Sequence, residues 1–328
     1  MIGIFRQKAP GNVALLLIVG LFLKLPLFMF PKVLPALPQE GRLYHVLSAW
    51  ITRSEFPFLS SVLAFLLLYI QALLVTSIIN EYRMTMRQTF LPGLSFLLIT
   101  SLLPEWNFLS GPLIASTLVL WAFARLFKLY NHPSANSIIY NIGLLLGLAS
   151  FFYFPSFLFS AGMLIGLLIL RPFRLNEILL LLLGVTTTFY FYAVYLFLAD
   201  RLVWEQLITV LQIHTPALGN SLWVVGSTIL IIIPFLIGAY YIQSNLRKML
   251  IQARKNWSII LIFLLFAIMF GFVNQGGSLS SWLLMVGPFA AFHACAYFYP
   301  PKKWISSLLF FATVAFILAQ QYLTPAWH

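Results

Sequence analysis

The sequence predicts an all-α fold, a polytopic bundle of about eleven transmembrane helices forming a single integral membrane domain over residues 1–328. Three observations predict it. Hydrophobic residues make up 62% of the 328 and charged residues only 8%, with a mean hydropathy of +0.97. A soluble domain carries about a quarter charged residues; this chain cannot cover itself with polar surface, so lipid must be its main solvent. The apolar residues fall in long runs, and the basic residues alternate in abundance from one connection to the next.

The runs are taken in chain order. Asn12–Phe30 follows a basic start, Arg6 and Lys8, and contains Lys24 and Pro26. No small-x-small cleavage site follows it, so it reads as a retained span and not a signal peptide. Phe58–Ile79 and Phe90–Pro104 flank a turn with Arg83 and Arg87. Gly111–Phe127 comes next. Ser134 to Ser137 (SANS) reads as a cap before Ile138–Phe154. Phe157–Leu170, Ile178–Leu198, Leu222–Tyr241, Ile259–Val273, Ser281–Phe298 and Ile305–Tyr322 complete the set. The third, fifth, sixth and ninth are short for a bilayer crossing.

Connections rich in Lys and Arg stay in the cytoplasm. With the N-terminal side inside, the inner connections hold Arg6, Lys8, Arg83, Arg87, Arg125, Lys128, Arg171, Arg174, Arg247, Lys248, Arg254, Lys255, Lys302 and Lys303, fourteen of the 19 basic residues. Outer connections hold Lys32, Arg42, Arg53 and Arg201, and Lys24 lies within the first run. The layout predicts an N-terminus in and a C-terminus out. It also explains the net charge of +12 without nucleic acid, since no basic domain gathers these residues. Trp50, Trp106, Trp204, Trp223, Trp257, Trp282 and Trp304 fall near run ends, where indole rings anchor at the interface. Cys295 is the only cysteine, which excludes an internal disulfide or a multi-cysteine metal site.

Two outer connections are long enough for short amphipathic surface helices. Leu43–Thr52 is one. In the other, within 199–221, Leu202, Val203, Leu207, Val210 and Leu211 recur at helical spacing, and Arg201 and Glu205 stand four apart. The seven acidic residues are skewed to the same side: Glu40, Glu55, Glu105, Asp200 and Glu205 lie outside, Glu81 and Glu177 inside. Insertion does not force this bias. Glu55, Glu205 and His214 read as solvated loop. Glu40 stands in PALPQEGRLYHV, where Pro38 and Gly41 present it at a turn beside Arg42 and His45. Asp200 has the chemistry of a helix cap, Arg42 and His45 that of headgroup anchors. Lys24 must snorkel, face a partner or line a cavity.

No HExxH, GxSxG or paired-His spacing is present, and Asn274 to Ser278 (NQGGS) lacks the lysine and context of a phosphate loop. No metal ligand set or cofactor is implied. His132 and His293 are isolated.

The order of a basic start, a first span and an outer connection reading PQEGRLYHVLSAW resembles the GT-C superfamily of polytopic transferases. The run Asn141–Gly184, with its glycines, its proline turn and its basic return, is similar to their middle region. The resemblance covers roughly the first 200 residues. It implies a glycosyltransferase of the bacterial cytoplasmic (inner) membrane that uses a polyprenyl-phosphate-linked sugar at the outer face. Glu40 matches the position of the acidic residue in the first outer loop that serves there as catalytic base or metal-associated acid, although many members carry paired acids and this chain has one. On that reading Arg42, His45, Arg201, Lys24 and Asp200 would line the donor site. The chain also resembles a group of bacterial integral membrane proteins of this length to which no activity is assigned. Two other readings stand beside the transferase: a non-catalytic subunit or scaffold of a cell-envelope complex, with other envelope membrane proteins as partners, and a lipid or solute transporter. Membrane lipids are partners in all three.

Overall fold

The computed structural model describes residues 2–7, 9, 11–32, 40–53, 57–200, 222–273 and 278–323. Among them the regular structure is helical: α1 Ile2–Phe5, α2 Gly11–Leu23, α3 Leu25–Met29, α4 Arg42–Arg53, α5 Pro57–Glu81, α6 Leu91–Ser101, α7 Gly111–Phe127, α8 Asn136–Ser150, α9 Phe159–Leu170, α10 Leu175–Leu198, α11 Leu222–Asn245, α12 Ile251–Gly271, α13 Val286–Phe298 and α14 Lys303–Leu323. Short 3-10 turns at Pro104–Trp106, Phe154–Leu158, Leu246–Lys248 and Leu279–Met285 lead into or out of the longer helices.

Each of the predicted apolar runs lies on a helix. Among the described residues six helical segments are long and apolar enough to cross a membrane: Phe58–Glu81, Leu175–Leu198, Leu222–Lys248, Ile251–Gly271, Leu279–Phe298 and Lys303–Leu323. Gly11–Leu23, Leu91–Ser101, Gly111–Phe127, Asn136–Ser150 and Phe154–Leu170 are apolar but shorter. The chain is thus a helical protein compatible with integration in a membrane. Several boundaries shift by a few residues from expectation, and two departures have local reasons. The first run breaks at Lys24, which leaves helical geometry (φ −113°, ψ 19°) just before Pro26; proline has no N–H to continue the ladder. The ninth starts at Ile251, because the basic residues Arg254 and Lys255 are good helix formers that extend the apolar stretch backwards.

The centre of the bundle is the pair α6 and α13, which pack on each other. Every residue of α6 is buried, as is α13 from Val286 to Tyr297. α5 and α2 cover α6, and α11 covers α13. α7 and α8 pack side by side, and α8 holds α10 at the rim through a seam of small residues. Gly143 and Gly184 approach so closely that a Cβ on Gly143 would lie 2.3 Å from the Leu181 carbonyl and one on Gly184 2.4 Å from that of Tyr140. One turn further, Gly147 faces Thr188. Small residues four apart are how helices approach in lipid, where dispersion and not water exclusion draws them together.

Several buried polar side chains are satisfied between helices. Gln71 of α5 donates to the Leu113 carbonyl (2.9 Å) and Thr117 Oγ1 (2.7 Å) of α7 and accepts from Ser116 Oγ (3.0 Å). His293 Nε2 donates to the Ile231 carbonyl (2.7 Å) in the stretch of α11 that Pro234 interrupts. Trp106 and Trp257, expected at an interface, are buried, and each indole N–H donates to a distant carbonyl: Leu279 at 2.8 Å and Met84 at 3.0 Å. Trp50 and Trp304 are exposed, as anchors would be.

Contacts between connections gather at two ends. One end joins Phe5 to Phe90, Arg6 to Tyr297, Met84 to Trp257 and Arg171 to Leu129 and His132. The other joins Glu40 to Gly111 and Tyr153, Trp106 and Glu105 to Leu279, and Tyr153 to Val273. The first is the basic end and the second the Glu40 end.

Candidate functional site

Three connections meet at Glu40. The chain at Glu40 forms an isolated antiparallel bridge with Tyr153. The Gly41 N–H donates to the Phe152 carbonyl (2.8 Å) and the Leu43 N–H to that of Phe151 (3.0 Å). The approach requires glycine at 41: a Cβ there would sit 1.9 Å from the Phe151 carbonyl oxygen. Immediately afterwards α4 begins, with the His45 N–H donating back to the Gly41 carbonyl at 3.2 Å. Gly41 thus belongs to a stitch between the 40–43 and 151–153 segments; the turn expected at Pro38 lies outside the described residues.

The Glu40 side chain turns inward and is 4% exposed. Its Oε1 accepts the backbone N–H of Gly111 at 2.9 Å. Gly111 is the first residue of α7, so the carboxylate occupies the end of a helix where N–H groups lack intrahelical partners and the dipole favours negative charge. Ser110, in the capping position, makes no side-chain cap bond, and its hydroxyl is buried without a hydrogen-bond partner. Glu40 does the capping in its place. Tyr44, one turn into α4, is also buried and donates its hydroxyl to the Leu109 carbonyl at 2.8 Å. Burial first, then the Glu40 charge, push the Tyr44 phenol well above its ordinary range. Segments 40–44, 109–111 and 151–153 thus form one polar knot.

The other candidates are placed as follows. Arg42 is exposed on α4 and lies near Tyr192 of α10. His45 is half-buried on the same helix. The observed α4, Arg42–Arg53, fits the expected surface helix Leu43–Thr52: Tyr44, Ser48 and Ile51 face the protein, and Val46 and Trp50 are exposed. Lys24 neither snorkels nor faces open space. It is fully buried, and its ammonium donates to Thr100 Oγ1 (2.9 Å), Ser101 Oγ (3.3 Å) and Asn107 Oδ1. Those three acceptors use its three donors, so it keeps none for a phosphate. Asp200 is exposed just beyond α10 in a left-handed conformation (φ 52°). Arg201, and the second surface helix that Asp200 was expected to cap, lie outside the described residues, as do Glu55, Glu205 and His214. Lys24, Glu40 and Arg42 therefore address three different sets of neighbours.

Glu105 completes the acidic pattern at this end. Its Oε2 accepts from the Leu279 N–H (2.9 Å) and Ser278 Oγ (3.2 Å), tying the 102–110 connection to the turn before α13. Sequence reasoning missed Gly111, Tyr44 and Tyr153. Each lies far from Glu40 in the chain or inside an amphipathic pattern that reads as surface. A glycine directly before Pro112, at the start of an apolar run, is the one local hint of a crowded helix start.

No family model, no curated protein and no solved structure matches the chain.

Proposed function

We propose that the chain is a multi-span protein of the bacterial cytoplasmic membrane, with its basic end in the cytoplasm and its Glu40 end outside. There it acts as a GT-C-like glycosyltransferase on a polyprenyl-phosphate-linked sugar. The observation that carries this reading is the buried carboxylate of Glu40, held by the Gly111 N–H. The bond itself asks only for an acceptor oxygen, and a neutral glutamine would provide one. Burying a carboxylate instead costs several kcal/mol. An ionisable group kept buried where a neutral amide would make the same bond fits a residue whose acid–base chemistry is used.

In this reading Glu40 accepts the proton of an acceptor hydroxyl as that oxygen attacks the sugar carbon and the carbon–oxygen bond to the lipid phosphate breaks. Arg42 and His45, at the start of the surface helix α4, meet the phosphate that leaves. The lipid tail lies among the exposed apolar side chains of the neighbouring spans. Proteoliposomes of the wild type should release polyprenyl phosphate from a panel of polyprenyl-phosphate hexoses and pentoses. Glu40→Gln should lower that release at least about 100-fold with an unchanged melt, since the amide oxygen still accepts from Gly111. Release unchanged in this variant eliminates the mechanism.

The same bond favours a second reading. If Glu40 serves only to cap α7 and tie three connections, the chain is a non-catalytic membrane subunit of an envelope complex. Glu40→Gln is then silent, and a fixed membrane partner co-purifies with the chain.

A further inference from the structure

A cavity of about 770 Å³ opens at the basic end, between α1, the 82–90 connection and the start of α14. Arg6, Arg87 and Lys303 line it with Gln88, Ser306 and Ser307, and among the described residues no acidic one does. A second cavity of about 330 Å³ shares Arg87 and Gln88 and adds Arg83. The preference for basic residues in cytoplasmic connections explains why such residues are near this end. It does not require three of them to surround one space, where like charges repel.

Among the described residues no ion pair balances these cations. Among the described residues the ion pairs are those of Arg171 and Arg174 with Glu177, elsewhere in the fold. Arg6 is held in place: its Nη2 donates to the Tyr297 carbonyl (2.8 Å) and Ser306 Oγ (3.4 Å). Its Nε is buried with no acceptor. Lys303, Ser306 and Ser307 belong to the first turns of α14, whose N–H groups and dipole favour an anion. Ile4, Met86 and Trp304, next in the chain to lining residues of the two cavities, expose apolar side chains.

We propose that this cavity binds a phosphate group, either the headgroup of an anionic membrane lipid or a free phosphate compound. A phosphate brings several acceptor oxygens and the negative charge that the lining lacks. Arg6, anchored through Nη2, offers its remaining donors, Arg87 and Lys303 exposed charges, and the serines their hydroxyl donors. The exposed apolar side chains beside the mouth would set it at headgroup depth.

The test uses the full chain in nanodiscs and two double variants. Arg87→Gln with Lys303→Gln removes two lining cations and leaves the Arg6 anchor intact. Arg247→Gln with Lys248→Gln removes two exposed cations that line neither cavity. In the first arm, native mass spectrometry compares retention of phosphatidylglycerol and phosphatidylcholine. In the second, inorganic phosphate is titrated against the melting temperature in phosphatidylcholine discs. A lipid ligand gives wild-type retention of phosphatidylglycerol that falls about 10- to 30-fold in the first variant and stays in the second. A free phosphate ligand gives a rise in melting temperature lost in the first variant only. The proposal is overturned if the wild type responds in neither arm, or if both variants lose the response equally, since that would mean diffuse surface attraction.

Discussion

The Glu40 carboxylate and the Gly111 backbone N–H are joined at 2.9 Å across 71 residues of sequence, one at the entry to a surface helix and the other at the start of an apolar helix. Removing the acceptor leaves the Gly111 donor buried and unsatisfied, which costs about 1–3 kcal/mol. Glu40→Ala should therefore lower the melting temperature clearly in a detergent or nanodisc melt. Glu40→Gln should stay near wild type. Equal loss in the two would mean that the charge, and not the acceptor, holds the knot together.

The α8–α10 seam makes a sharper demand on side-chain size. Gly143→Ala or Gly184→Ala would place a methyl group 2.3 or 2.4 Å from a backbone carbonyl. The helices must separate, and overpacking of this kind costs about 1–3 kcal/mol. Gly11→Ala, where nothing lies within 4 Å of the new methyl, should leave the melt unchanged or slightly improved. Comparing these single variants in one assay isolates the contact from any general effect of losing glycine.

Arg171 and Glu177 form a largely buried pair at 3.0 Å, and Arg171 also donates to the carbonyls of Leu129 (3.1 Å) and His132 (2.8 Å). Glu177→Ala strands the guanidinium in the interior, an effect of about 3–5 kcal/mol. The double variant Arg171→Met, Glu177→Leu removes both charges and should be less destabilised than Glu177→Ala alone. Expression level and melting temperature read both.

The buried Tyr44 phenol predicts alkaline sensitivity. Its folded pKa is raised above the ordinary 10.0, by burial and then by the Glu40 charge. The folded state therefore keeps its proton where the unfolded chain has lost it. Stability from this group is fully present below pH 10 and is lost above it, by about 1.4 kcal/mol per pH unit, until the folded phenol also ionises. Tyr44→Phe should flatten the pH profile above 10. An unchanged slope would mean that Tyr44 is not the group that titrates.

The apolar runs were legible because lipid leaves so few alternatives. Length and composition placed a helix on every one of them, and α4 was readable from its alternating faces. Tertiary choices were not readable. Lys24 sits in a run that reads as one span, and only its distant partners Thr100, Ser101 and Asn107 explain how a buried ammonium is tolerated there. Trp106 and Trp257 lie near run ends like interfacial anchors, yet their N–H groups are spent on carbonyls far along the chain. Local pattern reports what a residue prefers. It does not report which distant backbone atom will be there to meet it, and the polar knot at Glu40 is made of such meetings.

The enclosure of α6 has a consequence for how the chain is made. Its eleven residues are all buried, and a helix of that length reaches only about 16 Å, roughly half the hydrocarbon thickness of a bilayer. Such a segment has no stable resting place in lipid by itself. Part of its covering surface is α13, which leaves the ribosome far later. Biogenesis must therefore shelter α6 in the interval, through the insertion machinery or a provisional arrangement of the earlier helices, and the final architecture closes only when the last third of the polypeptide has arrived.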